Sequence, residues 1–138
     1  MNTRQQYLKQ IRPEIESITI HDNMSHDERF QSLTIRPVVK LQGDLFIAVF
    51  RNYIHKHKSV FYDLTLDKRI DYIENAVHKD MKFRNSLKGM VIGMFTVEEY
   101  NNYIKNSSAL NKRMMHIVKQ HLMDNIQLFE RYEILEAV

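Results

Sequence analysis

The sequence predicts an all-α protein, a single domain in which five or six helices of unequal length form an irregular bundle. Apolar residues recur at steps of three and four along most of the chain, as in helices that bury one face. Only 3 Gly and 2 Pro occur among 138 residues, whereas an all-β domain needs many turns made by these residues. A hydrophobic fraction of 43% and a charged fraction of 27% are ordinary for globular proteins, so we expect one core over residues 1–138.

Residues 1–33 are predicted to form an N-terminal helix and an irregular segment. A narrow apolar stripe at helical spacing defines the helix: Tyr7, Leu8, Ile11, Ile15 and Ile18. Pro13 bends or ends this helix, because proline cannot donate a backbone hydrogen bond. Ser25 stands shortly before two acids, which suits an N-cap and a short helical turn that ends near Phe30 or Leu33.

A long helix is predicted from residue 36 to about residue 58. Thr34 precedes Pro37, and proline is tolerated in a first helical turn because its missing N–H would be unpaired there anyway. The apolar residues of this helix spread over more than one side, which predicts burial on more than one side. The next helix is predicted to begin after Thr65 and to end near Asp80.

The stretch Lys82–Phe95 opens a new helix or continues the preceding one with a bend. Gly89 and Gly93 are four residues apart and share one side of this helix, so we expect another helix to approach closely there. Thr96 and Glu99 form a capping box, which marks the start of a further helix. A last long helix is predicted over residues 108–129, and residues 130–138 extend it or fray.

Several kinds of chemistry have no signature in the sequence. The absence of cysteine excludes disulfides and thiolate zinc sites and is typical of cytosolic proteins. No histidine pair has metal-ligand spacing, and neither a nucleophile elbow nor a phosphate-binding glycine loop occurs. We therefore expect no metal, no cofactor and a function other than catalysis; Glu74, His78 and Glu99 are the groups that an enzyme would have to use. No apolar run reaches the roughly 18 residues of a membrane span, so a cytoplasmic protein without membrane contact is expected.

Basic and amide side chains are concentrated in the polar opening of the central stretch. On helices that pack side by side, such side chains can hold a carboxylate or a phosphate, although an ordinary solvated face gives the same pattern. The candidate ligand-binding residues are Lys82, Arg84, Asn85, Lys88, Asn111, Arg113, Arg36 and Lys40. Nucleic acid is disfavoured as a partner, because the helix that follows Phe95 begins with two acids where phosphates would lie.

Two functions follow from these patterns. The first is a non-catalytic cytosolic helical module that self-associates, for example as a homodimer, or binds a protein partner. It is motivated by aromatic residues in excess of what a small core needs: Phe46, Phe50, Tyr53, Phe61 and Tyr62. The second is a binder of an anionic small molecule or nucleic acid through the cluster around residues 82–88.

Three stretches of the chain resemble a small bacterial family of uncharacterised helical proteins, some of which carry a glyoxalase label. They are Phe30–Gln31 with Thr34, Arg36–Pro37 and Lys40–Gln42; the segment KFRNSLKGMVIGMFTVEEY; and the segment NSSALNKRMM. The resemblance covers about residues 30–129. Glyoxalase enzymes of the βαβββ type need paired strands and a His/Glu metal site, and this sequence has neither pattern. The resemblance therefore implies a helical fold and no catalytic residue.

Overall fold

A computed structural model describes residues 3–15 and 19–131, and in this part the chain forms helices and no β-strand. Its α-helices are α1 Thr3–Ile11, α2 His26–Phe30, α3 Arg36–Leu41, α4 Gly43–Lys56, α5 Leu66–His78, α6 Met81–Ile92, α7 Val97–Tyr103 and α8 Ser107–Asp124. A π turn joins α2 and α3 into one rod, so the described part has six rods of at least nine residues. The all-α single-domain bundle is confirmed. Ile18 of the predicted stripe, and residues 132–138 of the predicted tail, lie outside the described residues.

The rod made by α2 and α3 differs from the predicted irregular segment. Ser25 caps it as expected, since its hydroxyl accepts a hydrogen bond from the Glu28 amide at 3.1 Å. The rod does not end near Phe30, because a π turn over Gln31–Ile35 carries it directly into α3. Pro37 explains the turn: it cannot donate to the Leu33 carbonyl, and its ring would clash with that carbonyl in a regular helix. Pro37 thus lies inside a rod rather than at its start.

The predicted helix over residues 36–58 is divided at Gln42, whose backbone leaves the helical region at φ −88° and ψ 5°. The Gln42 side chain donates a hydrogen bond to the Met90 carbonyl of α6 at 3.1 Å, which fixes this corner against a neighbouring helix. Helix α4 ends at Lys56, and Lys58 and Ser59 then adopt left-handed conformations with φ of 66° and 58°. The corner and the left-handed turn together reverse the chain toward α5.

Helices α5 and α6 are separate, with Asp80 between them. The Asp80 carboxylate caps α6 by accepting a hydrogen bond from the Phe83 amide at 3.2 Å. Helix α6 buries Phe83, Leu87 and Val91, which lie four residues apart on one face.

The prediction that Gly89 and Gly93 pack against another helix is wrong. Both glycines lie off the buried face of α6 and are exposed. A Cβ on Gly89 would have no neighbour within 4 Å, and one on Gly93 would meet only the Gly89 carbonyl of the same helix at 3.0 Å. A side chain at either position would thus meet no other helix, although the Gly93 carbonyl accepts a hydrogen bond from Arg4 Nη2 of α1 at 2.9 Å.

The predicted capping box at the start of α7 is confirmed. The Thr96 hydroxyl accepts a hydrogen bond from the Glu99 amide at 3.1 Å, and the Glu99 carboxylate accepts one from the Thr96 amide at 2.8 Å. Helix α8 follows and packs against α3, α4, α5 and α6, so it lies at the centre of the bundle. It ends at Asp124 rather than near residue 129, and a 3₁₀ turn over Ile126–Leu128 then brings Phe129 into the core.

The aromatic residues that suggested an interface belong mainly to the core. Phe46, Phe50 and Phe61 are fully buried. The Phe50 ring lies within 6.3 Å, centroid to centroid, of five other rings: those of Tyr53, Phe61, Tyr72, Phe83 and Phe129. Tyr53 and Tyr62 pack against the same core and are half-buried. The aromatic surplus is thus used in internal packing. No helix in the described ranges is both long enough and apolar enough to cross a bilayer.

Candidate functional site

A cavity of about 580 Å³ lies between α3 and α8, and the segment that follows α1 borders it on a third side. Ile15 and Thr19 of that segment contribute to the lining. Val39 and Ile117 add apolar surface and are themselves buried. The other lining residues are polar or charged: Ser32, Arg36, Lys40, His116, Gln120, His121 and Asp124. We refer to this space as the α3–α8 cavity.

Its two long walls carry polar side chains in regular rows. On α3, Arg36 and Lys40 are one turn apart and therefore on the same face. On α8, His116, Gln120 and Asp124 follow one another at the same four-residue step. With a rise of about 1.5 Å per residue, the row on α8 is about 12 Å long. The cavity is thus elongated along the two helices.

Two hydrogen bonds fix how the walls are aligned. Arg113 Nη1 of α8 donates to Gln31 Oε1 at 2.9 Å, and His121 Nε2 lies 2.9 Å from the Gly43 carbonyl oxygen. Residue numbers therefore rise in the same direction along α8 and along the chain from Gln31 to Gly43.

His121 is held in one orientation at the end of the cavity. Its Nε2 donates to the Gly43 carbonyl, because a carbonyl can only accept, and in the neutral ring Nδ1 is then an acceptor. Gly43 is needed for this contact: a Cβ there would be 3.1 Å from Cε1 and 3.3 Å from Nε2 of the ring. The absence of a side chain at Gly43 thus lets the His121 imidazole lie directly against the start of α4.

The cations of the cavity keep free hydrogen-bonding capacity. The Lys40 ammonium makes one long contact, 3.4 Å, with the Glu14 carbonyl oxygen. The Arg36 guanidinium is exposed and has no ion-pair or hydrogen-bond partner within residues 3–15 and 19–131. Among the described lining residues the carboxylate is that of Asp124, which accepts a hydrogen bond from Gln120 Nε2 at 2.8 Å. The charged donors of the lining are therefore on α3, and the His116 imidazole on α8 adds a further donor.

An ion pair anchors the segment that borders the cavity. The Arg12 guanidinium, 9% exposed, donates to both carboxylate oxygens of Glu99, and its Nη2 also donates to the Met94 carbonyl at 2.9 Å. The Thr34 hydroxyl donates to the same carboxylate at 3.0 Å. Burial raises the pKa of Glu99, but the hydrogen bonds from Arg12, the Thr96 amide and Thr34 outweigh it, and the net pKa is lowered. Glu99 is therefore an anion that links the residue after α1, the π turn before α3 and the start of α7.

The eight candidate residues from the sequence are distributed over the molecule. Arg36 and Lys40 line the α3–α8 cavity, whereas Lys82 lines a separate groove beside α4. Asn85 is exposed and Lys88 half-buried on α6. The remaining three have partners of their own: Arg84 Nη1 lies 3.4 Å from His78 Nδ1, Asn111 accepts from the Tyr103 hydroxyl at 2.5 Å, and Arg113 donates to Gln31. Of the eight, Arg36 and Lys40 thus line the α3–α8 cavity together.

The groups considered for catalysis take part in ion pairs. Glu74 Oε2 lies 2.9 Å from Lys119 Nζ, a contact that contributes most to lowering the pKa of Glu74. Burial lowers the pKa of His78, so its neutral ring can accept from Arg84. Among the described residues, no set of three histidine or acidic side chains is arranged to hold a metal ion.

The sequence patterns missed the two histidines of the cavity. His116 and His121 are five residues apart, so helical geometry alone places them on different sides of α8. Both nevertheless line the cavity, in a region where α3 and α4 pack against α8. Gly43, at the start of a helix, was the one local signal of a close approach in this region.

Comparison with protein-family models, with curated proteins and with solved structures finds no match for this chain. What the α3–α8 cavity can bind is therefore inferred from the charges and hydrogen-bonding groups on its walls.

Proposed function

We propose that this protein binds an anionic small molecule in the α3–α8 cavity. The observation that carries the proposal is the pairing of Arg36 and Lys40, one turn apart on α3, with the His116 imidazole across the same cavity. A guanidinium binds a carboxylate or phosphate through two parallel hydrogen bonds, and an ammonium adds a mobile point charge. The volume of about 580 Å³ is in the range of small-molecule sites.

The lining also limits which anions fit. Val39 and Ile117 provide an apolar strip between the polar rows, which favours a ligand with a hydrocarbon or ring portion. Asp124 repels negative charge at the far end of the α8 row, about 12 Å from His116 along the helix. We therefore expect a ligand with its oxyanion beside Arg36 and Lys40 and an uncharged or cationic part toward Asp124. Organic phosphates and carboxylates of this kind are the compounds to test.

A thermal-shift screen at low salt tests the proposal, with phosphosugars and acyl-carrier compounds as ligands. A compound present at 100 times its Kd stabilises the folded protein by about 2.7 kcal/mol, which raises the melting temperature measurably. The variant Arg36→Gln/Lys40→Gln should lose this rise. The variant Lys68→Gln/Lys112→Gln removes the same charge from exposed positions outside the cavity and should keep it. Unchanged melting with every compound counts against the proposal.

Self-association is a second candidate, supported by an apolar stripe on α7 and the turn after it. Val97, Tyr100 and Ile104 lie at helical spacing and are 60%, 44% and 53% exposed. Burial of such a stripe lowers the free energy, and the same face on a second copy of the chain would bury it.

Sedimentation velocity over a range of concentrations tests this second candidate. The wild type should form a dimer whose population rises with concentration, and Ile104→Lys should be monomeric. Val60→Lys is the control, because Val60 is 48% exposed and lies outside α7. A wild-type protein that stays monomeric at the highest concentration removes this candidate.

A further inference from the structure

A second groove lies on another part of the surface. It has a volume of about 390 Å³ and lies between the last turns of α4 and the first turns of α6. From α4 and the residue after it come Val49, Asn52, Tyr53, Lys56 and His57, and from the other side come Asp80, Lys82, Phe83 and Ser86. We refer to it as the α4–α6 groove. It shares no lining residue with the α3–α8 cavity.

Three rings form a stack along one wall of the groove. The Tyr53 ring lies 4.2 Å from the Phe83 ring and 4.0 Å from the His57 ring, centroid to centroid, and its plane is within 25° of the imidazole plane. His57 Nδ1 is 2.8 Å from the Tyr53 carbonyl oxygen, which fixes the orientation of the imidazole. Phe83 is buried and His57 is exposed, so the stack leads from the core to the groove surface.

Two lysines lie on opposite sides of the groove. Lys56 is on α4 and Lys82 on α6; both are exposed, and neither has an ion-pair partner in the described ranges. The carboxylate between them, Asp80, is already engaged: Oδ2 accepts from the Tyr53 hydroxyl at 2.8 Å and Oδ1 accepts from the Phe83 amide. The two ammonium groups therefore outnumber the single acid and remain available to a ligand.

An exposed ring stack beside unpaired cations matches the two chemical halves of a nucleotide. A nucleobase stacks on an aromatic or imidazole face whatever its sequence context, and lysine binds phosphate as a point charge. We propose that the α4–α6 groove binds a nucleotide, with its base stacked on the outer face of His57 and its phosphate between Lys56 and Lys82. Asn52, exposed on the same face of α4, offers an amide donor and acceptor to the edge of the base. A free mononucleotide and a nucleotide within a single strand share this chemistry.

Calorimetric titration of the full chain at low salt tests the proposal with four probes: AMP, adenosine, ribose 5-phosphate and a short single-stranded oligoadenylate. AMP should bind more tightly than either of its halves, because only AMP uses both the ring and the lysines. Tighter binding of the oligoadenylate would identify a strand as the source, and tighter binding of AMP a free nucleotide. Equal affinities for AMP and ribose 5-phosphate, or no binding of AMP at millimolar concentration, would overturn the proposal.

Substitutions in the groove test which residues bind the base and which bind the phosphate. Lys56→Gln/Lys82→Gln should weaken AMP binding about tenfold or more, since each lysine makes a charge-assisted contact. His57→Ala should weaken AMP binding about tenfold and leave ribose 5-phosphate unaffected. Arg36→Gln/Lys40→Gln should leave AMP bound as tightly as before, so this outcome is separate from that of the α3–α8 cavity. The proposal fails if AMP affinity is unchanged in the lysine variant.

An NMR measurement adds a readout that does not depend on stability. The Cε1 proton of His57, assigned by its loss in His57→Ala, should move upfield when AMP is added, because a base stacked on the imidazole shields it. Ribose 5-phosphate has no aromatic ring and should leave it in place. A resonance that responds equally to both would contradict base stacking.

Discussion

At the scale of single residues, two glycines show how position decides what the absence of a side chain does. Gly43 lets the His121 ring lie against the start of α4, where an added Cβ would be 3.1 Å from a ring carbon. Gly89 lies within α6 with open space around it, and an added Cβ would have no neighbour within 4 Å. Neither environment could be predicted from the sequence, because each depends on which helices are neighbours.

Substitution of these two glycines by alanine should change stability in opposite directions. Gly89→Ala should raise the free energy of unfolding by about 0.5–1 kcal/mol, since alanine favours an exposed helix interior and meets no obstacle. Gly43→Ala should lower it by about 1 kcal/mol, because the imidazole must move and its hydrogen bond to the Gly43 carbonyl is lost. Urea unfolding of both variants measures the difference; stabilisation by Gly43→Ala would show that His121 is not held in place.

At the scale of elements, local signals were predictable and contacts between distant residues were not. Thr96 and Glu99 are three residues apart, so their capping box can be predicted from the sequence, and the structure confirms it. The same Glu99 also binds Arg12 and Thr34, which are 87 and 65 residues away in the chain. Glu99 therefore both caps α7 and holds the N-terminal segment in place through Arg12.

Loss of the Glu99 charge should therefore cost more than the loss of a helix cap. Glu99→Gln leaves the Arg12 guanidinium, which is 9% exposed, without its counter-charge, and should lower the free energy of unfolding by about 3 kcal/mol at pH 7. Thr96→Ala removes only the hydroxyl of the box and should cost about 1 kcal/mol. Denaturant unfolding at pH 7 compares them, and equal losses would show that the ion pair adds nothing to the cap.

The lowered pKa of Glu99 also predicts how stability depends on pH. A carboxyl group whose folded pKa lies below its unfolded value, about 4.3 for glutamate, stabilises the fold above that value. This contribution is lost as the pH falls from about 4.3 through the folded pKa. The difference in stability between wild type and Glu99→Gln should therefore shrink below pH 4. A difference that stays constant down to pH 3 would contradict the lowered pKa.

At the scale of the whole molecule, the all-α class and most helix positions could be predicted, because they depend on local periodicity. The division at Gln42 was missed because a contact with another helix fixes it. The π turn was missed because Pro37 was predicted to begin a helix, whereas it lies inside a rod. The candidate site shows the same limit. Arg36 and Lys40 were predicted as a peripheral part of a cluster on α6, yet it is their contact with α8 that places them on a cavity.

The distribution of aromatic and charged residues between core and surface also differs from what the composition suggests. The aromatic residues pack in the core around Phe50, whereas cationic groups line both the α3–α8 cavity and the α4–α6 groove. The two sites use different helices, and α8 contributes only to the first. A ligand class can thus be tested at each site without disturbing the other.

The most direct test of the central claim, that the α3–α8 cavity binds an anion, is an NMR titration with inorganic phosphate at low salt. The Cε1 protons of His116 and His121 should shift and saturate together in the wild type, with one dissociation constant. In Arg36→Gln/Lys40→Gln both shifts should be lost, while Lys68→Gln/Lys112→Gln should behave as the wild type. Histidine resonances that do not respond in the wild type, or that respond equally in the Arg36→Gln/Lys40→Gln protein, would contradict an anion site in this cavity.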